Sequence, residues 1–308
     1  MSEEATVGSE RDRALAHLSL CFVLDAATGG MAGLKTLDAV LVMAINQANI
    51  APLTRDPDAR LRYGALDAPA PDAERRPVSV SAVATSLKLP YETVRRRLRR
   101  LAEAGACHVG ERGAVVPQAF LGSPAYLDTA RALHERMWTF YRDARGAGLV
   151  GELPASRYPI DAGVAVRGAI RLGADYLLRS TDGFVGYFGD LISGLTGMAV
   201  LCESLRSDGQ ASGASITVTA LAQRLRIPLE TVRRHGLDLV RSGRCVRRRR
   251  GLAVTEAMLA GPILGGLFHE NAGHAHRLFA GLAERGVIEA WDRLRPAPTH
   301  VLPAARGA

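Results

Sequence analysis

Two stretches of the chain place apolar residues at helical spacing and arginine at most of the positions between them. In the first stretch, Val94, Leu98 and Leu101 recur at intervals of four and three residues, which predicts one buried stripe along an amphipathic helix. A shorter apolar pattern over 80–87 predicts a helix before it. Pro90 lies between the two patterns and suits the first position of the second helix. The pattern therefore predicts two helices joined by a tight turn.

The residues after the second helix predict a β-hairpin. Gly105 follows the last apolar position and is expected to end the helix. Two short strand-like runs then flank "ERG" at 111–113, as in strands joined by a tight turn. We therefore expect helix, turn, helix and hairpin in succession over 80–117.

The same order of predicted elements returns later in the chain. Residues 80–117 align without a gap with residues 218–255, and sixteen of the thirty-eight aligned positions are identical. Upstream, "TGGMAG" at 28–33 is similar to "TDGFVG" at 181–186, at a slightly larger offset. In the second copy Gly236 replaces a leucine, which costs a helix about 1 kcal/mol. Self-similarity over this length indicates a duplicated domain rather than a short solenoid repeat.

The repeated segment resembles a known DNA-binding motif. The residues "LKLPYETVRRRLRRLAEAGACHVGERG" at 87–113 resemble the winged helix-turn-helix segment of bacterial transcription regulators, and most closely that of the catabolite-activator and GntR-like groups. In those groups an "ETV" or similar triplet opens the recognition helix, and "LxxxG" closes it before the wing. The resemblance implies a mainly α-helical fold with small β-hairpin wings, and binding to DNA.

The repeat and the resemblance together set the expected domain plan. We predict two tandem winged helix-turn-helix domains related by internal duplication. The predicted ranges are 12–148 for the first domain with its core at 80–117, 163–295 for the second with its core at 218–255, and 296–308 for a flexible tail. The first copy also carries extra material at 54–77, which has no hydrophobic period and is expected to be an exposed loop.

The charge of the chain favours a polyanionic partner. The 308 residues carry a formal charge of +8, with a sequence pI of about 9.8. Residues 80–113 contribute +4 and residues 218–251 contribute +8, so the remaining residues sum to −4. The positive charge is concentrated in the two arginine-rich segments, which favours double-stranded DNA over a membrane surface.

Cysteine usage and hydropathy indicate the compartment. The four cysteines have no close spacing in the sequence, which argues against a disulfide framework and for a reducing compartment. The N-terminal residues are acidic and polar and do not read as a signal peptide. The apolar stretches at 37–45 and 184–202 are too short or too interrupted to span a bilayer. We expect a cytoplasmic, nucleoid-associated protein without membrane contact.

The predicted DNA contacts lie on the second helix and the hairpin of each copy. A helix in the major groove presents its N-terminal residues to base edges, and cations along its flanks reach phosphates. Glutamate can accept a hydrogen bond from cytosine, threonine can touch a thymine methyl group, and arginine can bind guanine. The predicted DNA-binding residues are Tyr91, Glu92, Thr93, Arg95, Arg96, Arg97, Arg99, Arg100, Arg112, Glu230, Thr231, Arg233, Arg234, His235, Arg247, Arg248, Arg249 and Arg250.

These features predict a sequence-specific regulator of transcription that binds double-stranded DNA, with its two winged helices acting as a pseudo-dimer. Whether it activates or represses stays open. Two alternatives remain: a scaffold that uses its winged helices for protein contacts, as in chromosome organisation, and a replication initiator that binds origin repeats. A homodimer through the apolar helices at 34–50 and 187–203 also stays open, beside burial of those helices in a core.

A histidine-rich stretch, "HENAGHAH" at 269–276, suggests a metal site at first sight. His269 and His274 are five residues apart and face different sides of a helix. His269 and His276 share a face but lie roughly 10 Å apart along the axis, too far for one ion. We therefore expect no metal site.

Other chemical signals are weaker still. The glycines at 28–33 and 181–186 lack the pattern of a phosphate-binding loop, so turns or close helix packing explain them better. Cys107 and Cys245 occupy equivalent positions and are expected to be small buried side chains. The sequence shows no pairing of a nucleophile with a base, so we expect neither an enzyme nor a cofactor.

Overall fold

The computed structural model describes residues 2–158, 165–206 and 214–294, with side chains from Glu10 onward. Its helices are α1 (Ser2–Thr28), α2 (Thr36–Arg55), α3 (Pro57–Arg62), α4 (Val80–Ser86), α5 (Tyr91–Glu103), α6 (Gln118–Leu121), α7 (Pro124–Gly146), α8 (Val166–Phe188), α9 (Leu191–Ser204), α10 (Val218–Leu225), α11 (Leu229–Arg241), α12 (Glu256–Leu259), α13 (Pro262–Glu284) and α14 (Val287–Leu294), with a 3-10 helix at Asp72–Glu74. The strands β1 (His108–Gly110) and β2 (Gly113–Val115) form one antiparallel hairpin, and β3 (Val246–Arg248) and β4 (Gly251–Ala253) form another. The prediction of a mainly α-helical fold with small β-hairpins is confirmed.

Four long helices form a bundle at the centre of the molecule. α1 packs against α7 and α13, and α8 packs against the same two helices. Each of the four helices contributes an aromatic ring to one cluster. Phe22 stacks on Phe140 with ring centroids 5.2 Å apart, and Phe140 contacts Tyr176 and Phe279 at 5.8 and 5.1 Å. The buried apolar residues on both sides of the bundle belong to a single large cluster.

The first and second halves of the chain place similar elements in the same order. In the first half, α1 and α2 precede the helix pair α4–α5, the hairpin β1–β2, the short helix α6 and the long helix α7. In the second half, α8 and α9 precede the pair α10–α11, the hairpin β3–β4, α12 and α13. The helices α7 and α13 both span 23 residues. Within the described residues, α3 and α14 have no counterpart in the other half.

We call residues 80–115 the first unit and residues 218–253 the second unit. The first helix of each unit is capped by a hydroxyl group. Ser79 and Thr217 each accept a hydrogen bond of 3.1 Å from a backbone N–H in the first turn. The second helices end as predicted, because Gly105 and Gly243 adopt φ angles of +70° and +67°. Short-range signals in the sequence thus set the boundaries of these helices.

Each hairpin is anchored to the segment that precedes its unit. Strand β2 pairs with Val78, and strand β4 pairs with Ile216. Gly113 and Gly251 open these strands with φ angles of +120° and +143°. A Cβ atom at either glycine would collide with the backbone of Val78 or Ile216. Glycine is therefore required at both positions for the hairpin to lie this close to the first helix.

The stretch at 54–77 is not the exposed loop that the sequence predicted. It contains the end of α2, the whole of α3 and the 3-10 helix. It also forms a small hydrophobic cluster of its own, consisting of Ala59, Tyr63 and Ala70. Arg75 is buried, with Nε 3.1 Å from the backbone oxygen of Ala70. The prediction was wrong because so few apolar residues, unevenly spaced, produce no detectable period.

The apolar helices α2 and α9 belong to the core. Nine residues of α2 and eleven of α9 are buried. α2 is long and apolar enough to cross a membrane, but half of its most apolar window is buried inside the molecule, as in the core helix of a soluble protein. α8 and α9 would pass the same test only together, and they meet at an angle of 96°. The chain itself covers the apolar faces at 34–50 and 187–203, which favours their burial in the core over the homodimer that the sequence left open.

Parts of the predicted domain plan lie outside the described residues. These parts are the tail at 296–308 and, in the second predicted domain, residues 163–164, 207–213 and 295. The domain boundaries at 12–148 and 163–295 stay predictions.

Candidate nucleic-acid interface

The second helices of the two units, α5 and α11, expose arginines opposite their buried stripes. The predicted stripe of Val94, Leu98 and Leu101 is confirmed as buried in α5. Val232 and Leu239 are buried at the corresponding face of α11. The exposed arginines are Arg95, Arg96, Arg99 and Arg100 on α5, and Arg233, Arg234 and Arg241 on α11. Each helix therefore has an apolar side toward the core and a cationic side toward solvent.

An arginine and a glutamate form the same ion pair in the first turns of both helices. Arg95 Nε lies 2.9 Å from Glu92 Oε2, and both side chains are exposed. At the equivalent positions, Arg233 Nε lies 2.7 Å from Glu230 Oε2. The hydrogen bonds from Arg233 hold the pKa of Glu230 below its usual value. Each glutamate is thus paired with an arginine of its own helix, and the pair orients the guanidinium group at the exposed surface.

Arg97 and His235 occupy equivalent positions and face the protein body. Arg97 Nη1 lies 2.6 Å from Asp38 Oδ1 in the first turn of α2, and the arginine side chain is 19% exposed. His235 Nδ1 lies 2.8 Å from the hydroxyl oxygen of Ser193 in the first turn of α9. The sequence predicted that both residues contact bases, but in the structure both side chains face the protein body instead. Both fix the second helix of their unit to the helix beneath it.

The first turn of each second helix also exposes a large apolar or aromatic side chain. Tyr91 is 49% exposed at the start of α5, and Leu229 is 51% exposed at the start of α11. Thr93 and Thr231, two residues further along, are half-buried. Leu229 was not among the predicted site residues, although its alignment with Tyr91 would have identified it. A side chain exposed at this end of a recognition helix is placed to contact base edges.

The hairpins add positive charge in unequal amounts. Arg112 is exposed at the turn of the first hairpin. The second hairpin exposes Arg247 and Arg248 on β3 and Arg249 and Arg250 at its turn. The second hairpin thus exposes four consecutive arginines, whereas the first exposes a single arginine.

Both units are attached to the opposite half of the molecule through their turns. Lys88 Nζ, in the turn of the first unit, lies 3.4 Å from Asp182 Oδ1 on α8. In the second unit, the backbone oxygen of Leu225 accepts a hydrogen bond of 2.8 Å from the Thr36 hydroxyl of α2. These contacts hold both cationic helices on one scaffold.

The histidines of the stretch at 269–276 and the two equivalent cysteines have ordinary surroundings. His269 Nδ1 lies 3.2 Å from Asp12 Oδ2, and His274 Nε2 lies 3.9 Å from Glu270 Oε1, so each of these histidines faces a carboxylate. Cys107 and Cys245 are buried, and burial raises the pKa of the first thiol to about 11 and of the second to about 12. Both thiols therefore stay protonated near neutral pH and pack as small apolar groups.

The candidate interface combines exposed residues of both units with the half-buried Thr93 and Thr231. It consists of Tyr91, Glu92, Thr93, Arg95, Arg96, Arg99, Arg100 and Arg112 in the first unit, and of Leu229, Glu230, Thr231, Arg233, Arg234, Arg247, Arg248, Arg249 and Arg250 in the second. The chain matches no family model, no curated protein and no solved structure.

Proposed function

We propose that this protein is a sequence-specific, double-stranded-DNA-binding regulator of transcription, built from two winged helix-turn-helix domains that arose by internal duplication. The observation that carries the proposal is the repetition of exposed arginines at equivalent positions. Arg95 and Arg96 lie on the exposed side of α5. Arg233 and Arg234 lie on the exposed side of α11. Two helices with the same buried stripe, the same ion pair and the same exposed cations support one task performed twice.

The arrangement of each unit suits the major groove. The second helix would present its exposed first turn to base edges, and the arginines beside that turn would contact phosphates. The hairpin of the second unit, with four arginines, would bind the backbone or the adjacent minor groove. Such binding would require neither a cofactor nor catalysis, and we propose that the protein acts in the cytoplasm, on the nucleoid.

The two units would act as a pseudo-dimer within one chain. Their helices would lie in successive major-groove faces, about 34–36 Å apart along the duplex. The half-sites are not expected to be identical, because the exposed residues differ along the helices. Arg100 of α5, for example, corresponds to Asp238 of α11.

Salt-dependent binding to duplex DNA tests the proposal. A duplex enriched by the protein from a random library is titrated with the full chain at several salt concentrations, and binding is followed by fluorescence anisotropy. We expect the affinity to fall steeply with salt, because phosphate contacts release counterions. Arg95→Ala combined with Arg96→Ala should lower the slope of log K against log salt by about two. The Arg233→Ala and Arg234→Ala pair should do the same.

The matched control removes two exposed arginines of α7, Arg131 and Arg142, which belong to neither unit. This variant should bind duplex DNA like the unchanged protein. An affinity for DNA that does not change with salt would contradict the proposal and favour a protein-binding scaffold. Equal affinity in the two unit variants and the α7 control would do the same. Genome-wide occupancy then separates a regulator, found at promoters, from an initiator, found at origin repeats.

A further inference from the structure

Three side chains from distant parts of the sequence meet between the bundle and the second unit. His17 and Cys21 lie one turn apart on α1, and Cys202 lies near the end of α9. The Sγ atoms of Cys21 and Cys202 are 3.1 Å apart, and Cys21 Sγ is 3.9 Å from His17 Nε2. One ligand atom from each of the three residues falls within 4.8 Å of the others. Two thiols and one imidazole are thus gathered around one point.

The hydrogen bond made by His17 sets which of its nitrogens is available. Its Nδ1 lies 3.1 Å from the backbone oxygen of Cys202. A carbonyl oxygen can only accept, so Nδ1 donates and the lone pair of neutral His17 is on Nε2. Nε2 is the nitrogen that lies near Cys21 Sγ. Metal-binding histidines have this arrangement, with one nitrogen donating to a carbonyl and the other ligating.

The close approach of the two sulfur atoms suits a bound cation once both thiols are ionised. Two thiolates at this separation repel each other unless a positive charge lies between them. Arg224 of α10 compensates in part, with its Nη2 atom 3.4 Å from Cys202 Sγ. Such an N–H group also suits the outer shell of a metal-bound thiolate. Cys202 is buried, whereas His17 and Cys21 are half-buried and leave the cluster open to solvent on one side.

We propose that His17, Cys21 and Cys202 bind one Zn²⁺ ion. Two thiolates and an imidazole are a ligand set that zinc prefers, with Zn–S distances of about 2.3 Å and Zn–N distances of about 2.0–2.1 Å. In a tetrahedral site the two sulfurs lie about 3.8 Å apart, so they would separate by about 0.7 Å when the ion binds. The fourth position is free for a solvent molecule or an exogenous ligand.

A disulfide is the competing explanation for the close sulfur atoms. Its formation would require the sulfurs to approach to about 2.05 Å, a larger movement in the opposite direction. It would also require neither the histidine nor its fixed tautomer. The third ligand therefore favours metal binding. The ligands lie on α1 and α9, so the ion would hold the first half of the chain to the second half, and Arg224 extends this contact to the second unit. This inference does not depend on the proposed binding of DNA.

The test uses the full chain, purified under reducing conditions and stripped of metal with a chelator. Zinc is added back, and the bound metal is counted by mass spectrometry after removal of the excess. We expect one ion per chain and a higher melting temperature with zinc than without it. Cobalt added in place of zinc should give thiolate-to-cobalt charge-transfer absorption, which directly reports sulfur ligands in the unchanged protein.

Variants identify the ligands. His17→Ala, Cys21→Ser and Cys202→Ser should each weaken zinc binding by more than the roughly 10–100-fold that loss of an outer-shell partner costs. Cys107→Ser combined with Cys245→Ser is the matched control and should keep the site. Circular dichroism confirms that each variant is folded. The proposal would be overturned if the chain bound no zinc and gave no cobalt–thiolate absorption. It would also be overturned if Cys21 and Cys202 formed a disulfide and the chain therefore bound no metal.

Discussion

Adjacent arginines on α5 have different surroundings, and these decide their roles. Arg96 is exposed and, in the proposed complex with DNA, would reach a phosphate. Arg97, the next residue, forms an ion pair with Asp38, which is itself only 17% exposed. In the sequence the two arginines are equivalent members of one run. Only the ion pair with α2 distinguishes Arg97, which holds the helix in place, from Arg96, which faces solvent.

Substitution of these two residues should separate stability from DNA affinity. Arg97→Ala leaves Asp38 half-buried without its partner, so we expect the free energy of unfolding to fall by about 1–3 kcal/mol, while the folded protein keeps its affinity for the duplex. Arg96→Ala should change stability by less than about 0.5 kcal/mol and weaken duplex binding. Urea unfolding and anisotropy titrations measure the two quantities. A folded Arg97→Ala protein that loses as much affinity as Arg96→Ala would show that Arg97 contacts DNA.

At the scale of elements, the two units fill the space between helix and hairpin in opposite ways. In the first unit, Leu98 of α5 and Ala114 of β2 are both fully buried. At the equivalent positions the second unit has Gly236 in α11 and Leu252 in β4. A Cβ atom at Gly236 would lie 2.9 Å from Leu252 Cδ1. The glycine that lowers the helix propensity of α11 therefore makes room for the leucine of the hairpin.

Substitution of both positions together should cost less than the two single substitutions added together. Gly236→Leu overpacks the second unit and should cost about 1–3 kcal/mol of unfolding free energy. Leu252→Ala leaves a cavity and should cost about 2–5 kcal/mol. The double variant recreates the pair of the first unit, so its loss should be smaller than the sum of the two single losses. Chemical denaturation of the four proteins measures the cycle, and strictly additive losses would show that the two positions do not share one space.

At the scale of the whole molecule, the central bundle joins the halves along two seams. α1 of the first half packs on α13 of the second, and α7 of the first packs on α8 of the second. The aromatic cluster around Phe140 takes rings from all four helices. A chain that was expected to consist of two domains thus buries the long helices of both halves in one common core.

This shared core should make unfolding cooperative across the two halves. We expect a single transition in scanning calorimetry, with equal calorimetric and van't Hoff enthalpies. The fragment 12–148 should not fold alone, because its long helices α1 and α7 would expose the faces that contact α13 and α8. Two resolved transitions, or a fragment with native-like circular dichroism and a sharp melting curve, would instead support independent domains.

The local features of the fold were predictable because they depend on neighbours within a few residues. The apolar stripe of Val94, Leu98 and Leu101 sets the buried face of α5 without help from the rest of the chain. Gly105 and Gly243 end their helices because glycine readily adopts the left-handed backbone conformation found there. The exposed arginines on the opposite faces follow from the same periodicity. Most of the candidate interface could therefore be identified from the sequence.

The remaining features depend on contacts between residues far apart in the chain, which a local pattern does not encode. The inward orientation of Arg97 and His235 follows from the position of α2 and α9 beneath the second helices. The cluster of His17 and Cys21 with Cys202 forms across 181 residues, because α9 packs on α1. The sequence by itself determined the two cationic units. Tertiary packing turned Arg97 and His235 inward and brought together the thiols that we propose bind zinc.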